Sequence, residues 1–193
     1  MLYLVQTDTT AGFLSKDFRE INKAKNRDLQ TPCILAMARF SELLNFVRVP
    51  KAHKNLVRKA KKTSFVYEKS SLKKALQILN DEFATEFDDL ASFKGENSLN
   101  LSENFTILNE NSLILGEKNL ACRVVKGCAH SEFLAKNGAF FSSSANLHGK
   151  NFDPQKARQI ALSNGGKIID ETLFTAKASA LIRLFKTKKR KIR

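Results

Sequence analysis

Phe140-Phe141-Ser142-Ser143-Ser144-Ala145-Asn146-Leu147-His148-Gly149 reads as a buried aromatic strand that runs into consecutive hydroxyls, an amide and a glycine. Hydroxyls, Asn and exposed backbone amides together can donate to a phosphate and read a base edge. An ordinary Ser-rich turn has the same composition, and chemistry alone leaves both readings open. On the N-terminal side stand a strand at Cys122 to Val125 and a helix at Ser131 to Lys136 that ends near Gly138. On the C-terminal side Asp153-Pro154 caps a helix that ends before Gly165-Gly166, and strands follow at Lys167 to Ile169 and Ala180 to Leu184. This alternation predicts an α/β fold, a twisted mixed sheet flanked by helices.

The first third of the chain alternates in the same way. Leu2, Leu4 and Val5 suit a strand, Thr7 to Gly12 a polar turn, and Ser15 a helix N-cap for Lys16 to Lys25, with Phe18, Ile21 and Ala24 at helical spacing. After Pro32, Cys33 to Met37 suits a buried strand, and Leu43, Leu44 and Val47 suit a helix capped by Ser41. Pro50 starts another helix, with Leu56, Val57 and Ala60 inward and Lys51, Lys54, Arg58, Lys59, Lys61 and Lys62 outward. No acid interrupts Arg48 to Tyr67, which fits either a solvated face or a nucleic-acid surface. Ser71 to Leu79 reads as a helix, and the charge then inverts. Residues of about 80–118 read as an acidic insertion, with a hairpin at Phe105 to Leu108 and Leu113 to Leu115. Its Asp81/Glu82 and Asp88/Asp89 pairs have no defined pocket and read as exposed decoration. Residues 1–185 form one expected domain, and 186–193 a basic C-terminal tail.

With 193 residues and 42% hydrophobic content the chain can bury a core. Its formal net charge of +14 attracts polyanions: RNA, DNA, nucleotides or acidic membranes. The basic stretches lack the apolar face of an interfacial helix, and no run approaches the ~20 apolar residues of a membrane span. The opening MLYLVQTDTT lacks the features of a leader, so a cytoplasmic location without a membrane is expected. Cys33, Cys122 and Cys128 form no CxxC, and His53, His130 and His148 are scattered, which argues against a disulfide scaffold and a zinc site.

Ser142, Ser144, Ala145, Asn146 and Gly149 match the Ser-Thr-Ser-Ala-Asn-x-Ser-Gly signature of the YrdC family, which the chain resembles. Four further stretches stand in that family's order. Gln6-Thr7-Asp8-Thr9-Thr10-Ala11-Gly12 stands for its Pro-Thr-Asp/Glu-Thr-x-Tyr-Gly, and Lys25-Asn26-Arg27 opens its Lys-x-Arg element. Arg123-Val124-Val125 stands for its Arg-x-Pro, and Ser179-Ala180-Leu181-Ile182-Arg183 for its Ser-Thr-x-Val-Asp strand. The chain departs from the pattern at Ala11, where the family has Tyr, at Thr31, where it has Lys, and at Ala36 and Met37, where a His is expected. Lys59-Ala60-Lys61-Lys62-Thr63 replaces a Pro-Gly-Pro-x-Thr turn.

The resemblance implies a YrdC-like sheet with a concave basic surface that binds ATP as substrate, with Mg²⁺. It implies a nucleotidyltransferase, an L-threonylcarbamoyladenylate synthase that joins threonine, bicarbonate and ATP with release of pyrophosphate, for tRNA threonylcarbamoyladenosine modification and its downstream transfer machinery. A non-catalytic module binding double-stranded RNA or tRNA is the alternative. On this basis Lys25, Arg27, Ser142, Ser144, Asn146 and Ser179 are candidates for ATP and phosphate, and Thr7 and Arg123 for threonine. Lys59, Lys61, Lys62, Lys188, Lys189 and Arg190 are candidates for RNA, with no residue assigned as a general acid, base or nucleophile and none as a metal ligand.

Overall fold

Alternation along a strand sends neighbouring side chains to opposite faces, and Phe140 and Phe141 divide in this way at the start of β6 (Phe140–Ser144). The computed structural model describes residues 1–68 and 119–193. The helix read at Ser71 to Leu79, the acidic insertion and its hairpin lie outside the described residues. Phe141 pairs with Ser15 of β2 (Gly12–Ser15) and with Leu35 of β3 (Ile34–Met37). The row continues through Cys122 of β5 (Asn119–Val124) and Phe65 of β4 (Thr63–Glu68) to Ile182 of β8 (Ala180–Leu184). β1 (Tyr3–Val5) and β7 (Lys167–Ile168) close one edge, and β9 (Lys189–Lys191) the other. The nine strands of the described residues run β7-β1-β2-β6-β3-β5-β4-β8-β9, with parallel and antiparallel pairs mixed.

The Phe141 face carries the larger core, with Leu4, Phe13, Leu35, Met37, Phe65 and Tyr67 buried. Buried side chains of α1 (Phe18–Ala24), α2 (Phe40–Phe46), α3 (Lys54–Lys59) and α5 (Pro154–Ser163) join it. The Phe140 face buries a smaller cluster, Val5, Leu14, Ala36 and Phe140, beneath Leu134 of α4 (Ala129–Asn137). The rest of that face, beyond α4, carries Ser142, Ser144 and the arginines described below.

Local signals set several boundaries as the sequence implies. Asp153 caps α5 by accepting from the Gln155 and Lys156 amides, with Pro154 in the first turn. Gly138, at φ 78°, ends α4 in the left-handed region that favours glycine. Two expectations need correction. Gly12–Ser15 is a strand wholly buried between β1 and β6, so Ser15 is no N-cap; Asp17 caps α1, accepting from the Arg19 amide. α2 begins at Phe40 after Arg39, not at a Ser41 cap, and the Glu42 carboxylate instead accepts from the Ala38 amide. Residues after the basic turn at Lys61 and Lys62 form β4, an inner strand whose Ser64, Phe65, Val66 and Tyr67 are all buried. The basic C-terminal tail contains β9, which pairs with β8 as an edge strand.

Phe141 packs edge-on against Phe18, with ring centroids 5.6 Å apart, and is 2% exposed. Phe141→Ala is expected to lower stability by about 3–5 kcal/mol, the usual range for deleting a buried Phe side chain. Denaturant unfolding checks this, and a loss below about 1 kcal/mol would show that β6 is not the central packing strand.

Candidate nucleotide site

α1 and the end of β6 meet through one side chain. Lys25 immediately follows α1 and is 3% exposed, and its ammonium donates to Ser144 O at 2.5 Å, to Asn146 O and to Asn146 Oδ1 at 3.2 Å. Three oxygen acceptors favour its charged form, while burial first and the nearby Arg27 charge second pull its pKa down to about 8. Ser144 Oγ donates to Asn146 Oδ1 at 2.5 Å, and Asn146 Nδ2 donates to Leu147 O and Lys150 O. The loop backbone is tied in as well, with the Ala145 amide on Ala11 O and the His148 amide on Lys25 O. Ser142 Oγ has no protein partner among the described residues, so it is the loop's uncommitted hydroxyl on this face.

Arg27 is braced by Asn22, which the sequence reading did not single out. Asn22 is fully buried and accepts from Arg27 Nε at 2.7 Å, while its Nδ2 donates to Leu29 O and Thr31 O. Arg27 Nη2 also donates to Cys33 Sγ at 3.2 Å, and burial raises the Cys33 thiol pKa despite that cation. Lys25 and Arg27 thus hang from one short helix and its exit loop.

Thr7 is also buried. Its Oγ1 donates to Thr10 O at 2.7 Å and accepts from the Thr9 amide at 3.1 Å. Gly12 allows this turn to lie against β6. A Cβ there would stand 3.0 Å from Thr7 Cγ2, 3.2 Å from Ser143 O and 3.5 Å from Ser142 Oγ. Arg123 lies on the same face as Phe140 and Ser142, two strands from β6, and it is engaged: its guanidinium forms an ion pair with Asp8, the side chains 9% and 11% exposed. Among the described residues, Arg123 Nε is buried without a partner, as are both ring nitrogens of His130. Burial lowers the His130 pKa to about 4, with Asp8 raising it and Arg123 lowering it, so this ring is neutral at pH 7. Asp8 and His130 are two further polar residues that their chain positions did not reveal.

The strand order brings Lys25, Arg27, Thr7, Ser142, Ser144, Asn146 and Arg123 to neighbouring strands β2, β6, β3 and β5 or the turns beside them. Ser179 is placed apart. It precedes β8, four strands from β6, where its carbonyl accepts from Arg193 Nε at 3.2 Å. The two basic stretches are side by side, because the Ala180 amide donates to Lys62 O and His53 Nε2 lies 3.2 Å from Lys188 O. Lys59, Lys61, Lys62, Lys188, Lys189 and Arg190 are all exposed. Near the Thr7 turn, a cleft of about 420 Å³ is lined by Asp8, Cys128, Asp170, Glu171 and Phe174 among others. Among the described residues no group of three or more His, Cys, Asp or Glu side chains is placed to hold a metal, and no helix is long and apolar enough to cross a membrane.

No family model matches the sequence, and no curated protein is similar to it. Among solved structures, the chain is similar to P. abyssi Sua5 complexed with L-threonine, at 16% identity and a TM-score of 0.67, over 100% of this chain and 49% of that one. It is similar to E. coli YciO at 15% identity and a TM-score of 0.65, over 100% of this chain and 82% of that one. It is also similar to the MTH1692 protein of Methanobacterium thermoautotrophicum, at 16% identity and a TM-score of 0.60, over 100% of this chain and 79% of that one. The chain spans about half the length of the Sua5 chain. At these identities the likeness is one of architecture, and the mixed nine-stranded sheet with its helices is the YrdC/Sua5-like fold.

Proposed function

We propose that this chain binds ATP at the loop that ends β6 and acts as a divergent threonylcarbamoyl-adenylate synthase, serving modification of tRNA. The observation that carries the reading is the buried Lys25 ammonium beneath Ser144 and Asn146, beside Arg27 and the uncommitted Ser142 hydroxyl. The fold likeness to Sua5, solved with L-threonine, supports it. In this proposal the triphosphate draws Lys25 away from the loop carbonyls, and Arg27 offers the guanidinium hydrogens that Asn22 and Cys33 leave free. Mg²⁺ enters as the counter-ion carried by the triphosphate, since the described residues offer it no cluster of their own.

Threonine, carboxylated on its amine by bicarbonate with loss of water, presents a carbamate oxygen to the α-phosphorus. A bond forms between that oxygen and phosphorus, and the bond to the leaving pyrophosphate breaks. Positioning and charge neutralisation do the work, so no protein nucleophile is needed. Arg123 takes the threonine carboxylate by exchanging Asp8 for it, one anion for another. A non-catalytic RNA-binding module is the second reading, and the existing Asp8–Arg123 pair favours it, because an occupied guanidinium is not offered to a substrate.

Asn146→Ala removes the amide that organises the loop and is expected to weaken ATP by about 1–3 kcal/mol in calorimetry. Unchanged affinity would move the nucleotide off this loop. ATP affinity is also expected to fall as pH rises through about 8, where Lys25 loses its proton. The sign for folding is opposite. The folded-state pKa lies below the ordinary 10.5, so the unfolded chain binds more protons between those values and this group's contribution to stability rises with pH. Weaker binding at pH 9 with an undiminished melting temperature is the expected pair of results, and a flat affinity from pH 7 to 9 would remove Lys25 from the site. Pyrophosphate release from ATP is expected only with both threonine and bicarbonate, and Arg123→Ala should abolish the threonine dependence while ATP still binds. If no amino acid stimulates release while RNA binds, the second reading stands.

A further inference from the structure

The Phe140 face continues well past the nucleotide loop. Ser142 pairs with Ile34, and the next residue of β3, Leu35, pairs with Cys122 of β5. Ala121, one residue before Cys122, pairs with Val66, Val66 pairs with Arg183, and Arg183 pairs with Arg190. One row across the sheet therefore begins at Ser142 and ends on two arginines set directly opposite each other on β8 and β9. Strands are spaced about 4.8 Å apart, so Arg183 stands roughly 19 Å from Ser142.

Like charges directly opposite on neighbouring strands repel, and folded sheets offset this with a counter-charge. Among the described residues none is in place. Neither arginine's side chain forms a hydrogen bond or an ion pair among the described residues, and Arg183 Nε is buried with no partner among them. The nearest acid along this face in register is Glu68, two residues beyond Val66 on β4, and it is exposed and forms no ion pair. Lys189 and Lys191 pair with Leu184 and Ile182 and so project from the other face of β9, which leaves Arg183 and Arg190 as a two-guanidinium site.

We infer that Arg183 and Arg190 form a second anion site, which takes a phosphate group far from the nucleotide loop. Two guanidiniums present forked donors to phosphate oxygens, and the anion supplies the counter-charge that the sheet lacks. The phosphate can come from an RNA backbone, which rests on the RNA side of the proposed function, or from free pyrophosphate. A 19 Å separation suits a polymer whose phosphates span the face better than one mononucleotide.

The test compares the Arg183→Ala/Arg190→Ala double variant with Lys189→Ala/Lys191→Ala, which removes the same charge from the opposite face. Duplex RNA is followed by gel shift and inorganic pyrophosphate by calorimetry, each also in an Asn146→Ala background that weakens the loop. The arginine variant is expected to lose about tenfold in affinity for at least one probe, and the lysine variant less than about threefold. Loss for RNA alone assigns the site to backbone phosphate, and loss for pyrophosphate assigns it to the free anion. Arg190→Glu adds an independent reading, since it places opposite charges face to face. It should raise the melting temperature while abolishing the response to the probe. Equal losses in the arginine and lysine variants, no loss for either probe, or a lower melting temperature for Arg190→Glu would overturn the assignment. Asn146→Ala leaves β8 and β9 untouched, so a failed nucleotide site and a failed arginine site give different results.

Discussion

A buried ammonium needs oxygen atoms around it, and Lys25 finds three of them on one loop. That requirement joins the exit of α1 to the end of β6, although the two are about 120 residues apart in the chain. It also determines what surrounds the loop. Ser144 and Asn146 turn their side chains to each other, Ala145 hangs from Ala11, and the Lys25 carbonyl receives the His148 amide. With the charge held but partly desolvated, the loop is ordered in the protein alone, and in the proposed reading its cation is what an incoming phosphate claims. Preorganisation of this kind reduces the ordering cost of binding.

Among the described residues the same logic of charge without enough counter-charge runs along the Phe140 face of the sheet. Arg123 has Asp8, and this pair is the point at which the synthase and RNA-binding readings part, since the guanidinium must exchange one carboxylate for another to serve a substrate. His130 lies in the field of that pair with both ring nitrogens unpartnered, and its neutral form adds no further cation at pH 7. Farther along, Arg183 and Arg190 stand opposite each other with no side-chain partner among the described residues.

Features written in adjacent residues were legible from the sequence. The Asp153-Pro154 cap and the strand at Ala180–Leu184 each carry a local pattern that physics reads directly, whereas the Ser142 to Asn146 loop and the Lys25/Arg27 pair stood out through the family resemblance. β2 was hidden because a central strand buried on both faces has no alternation, and Gly12 and the threonines before it resemble a turn. β4 was hidden by the basic residues leading into it. The Asp8–Arg123 pair spans 115 residues, and Asn22 holds Arg27 only because the chain bends back at Leu29 and Thr31. Such partners follow from the folded topology, and no spacing rule recovers them. The pairing of Arg183 with Arg190 likewise depends on the register of the β8–β9 hairpin, which composition reads only as a basic tail.

The central claim is that the Lys25-bound loop is where a nucleotide sits, and an NMR titration of the isotope-labelled protein with ATP addresses it most directly. The account predicts that the amides of Ser142 to Asn146, together with the Lys25 side-chain resonances, shift in parallel and saturate with one affinity, while α5 on the opposite face stays still. Shifts confined to β8 and β9, with the loop and Lys25 unmoved at saturation, would contradict it.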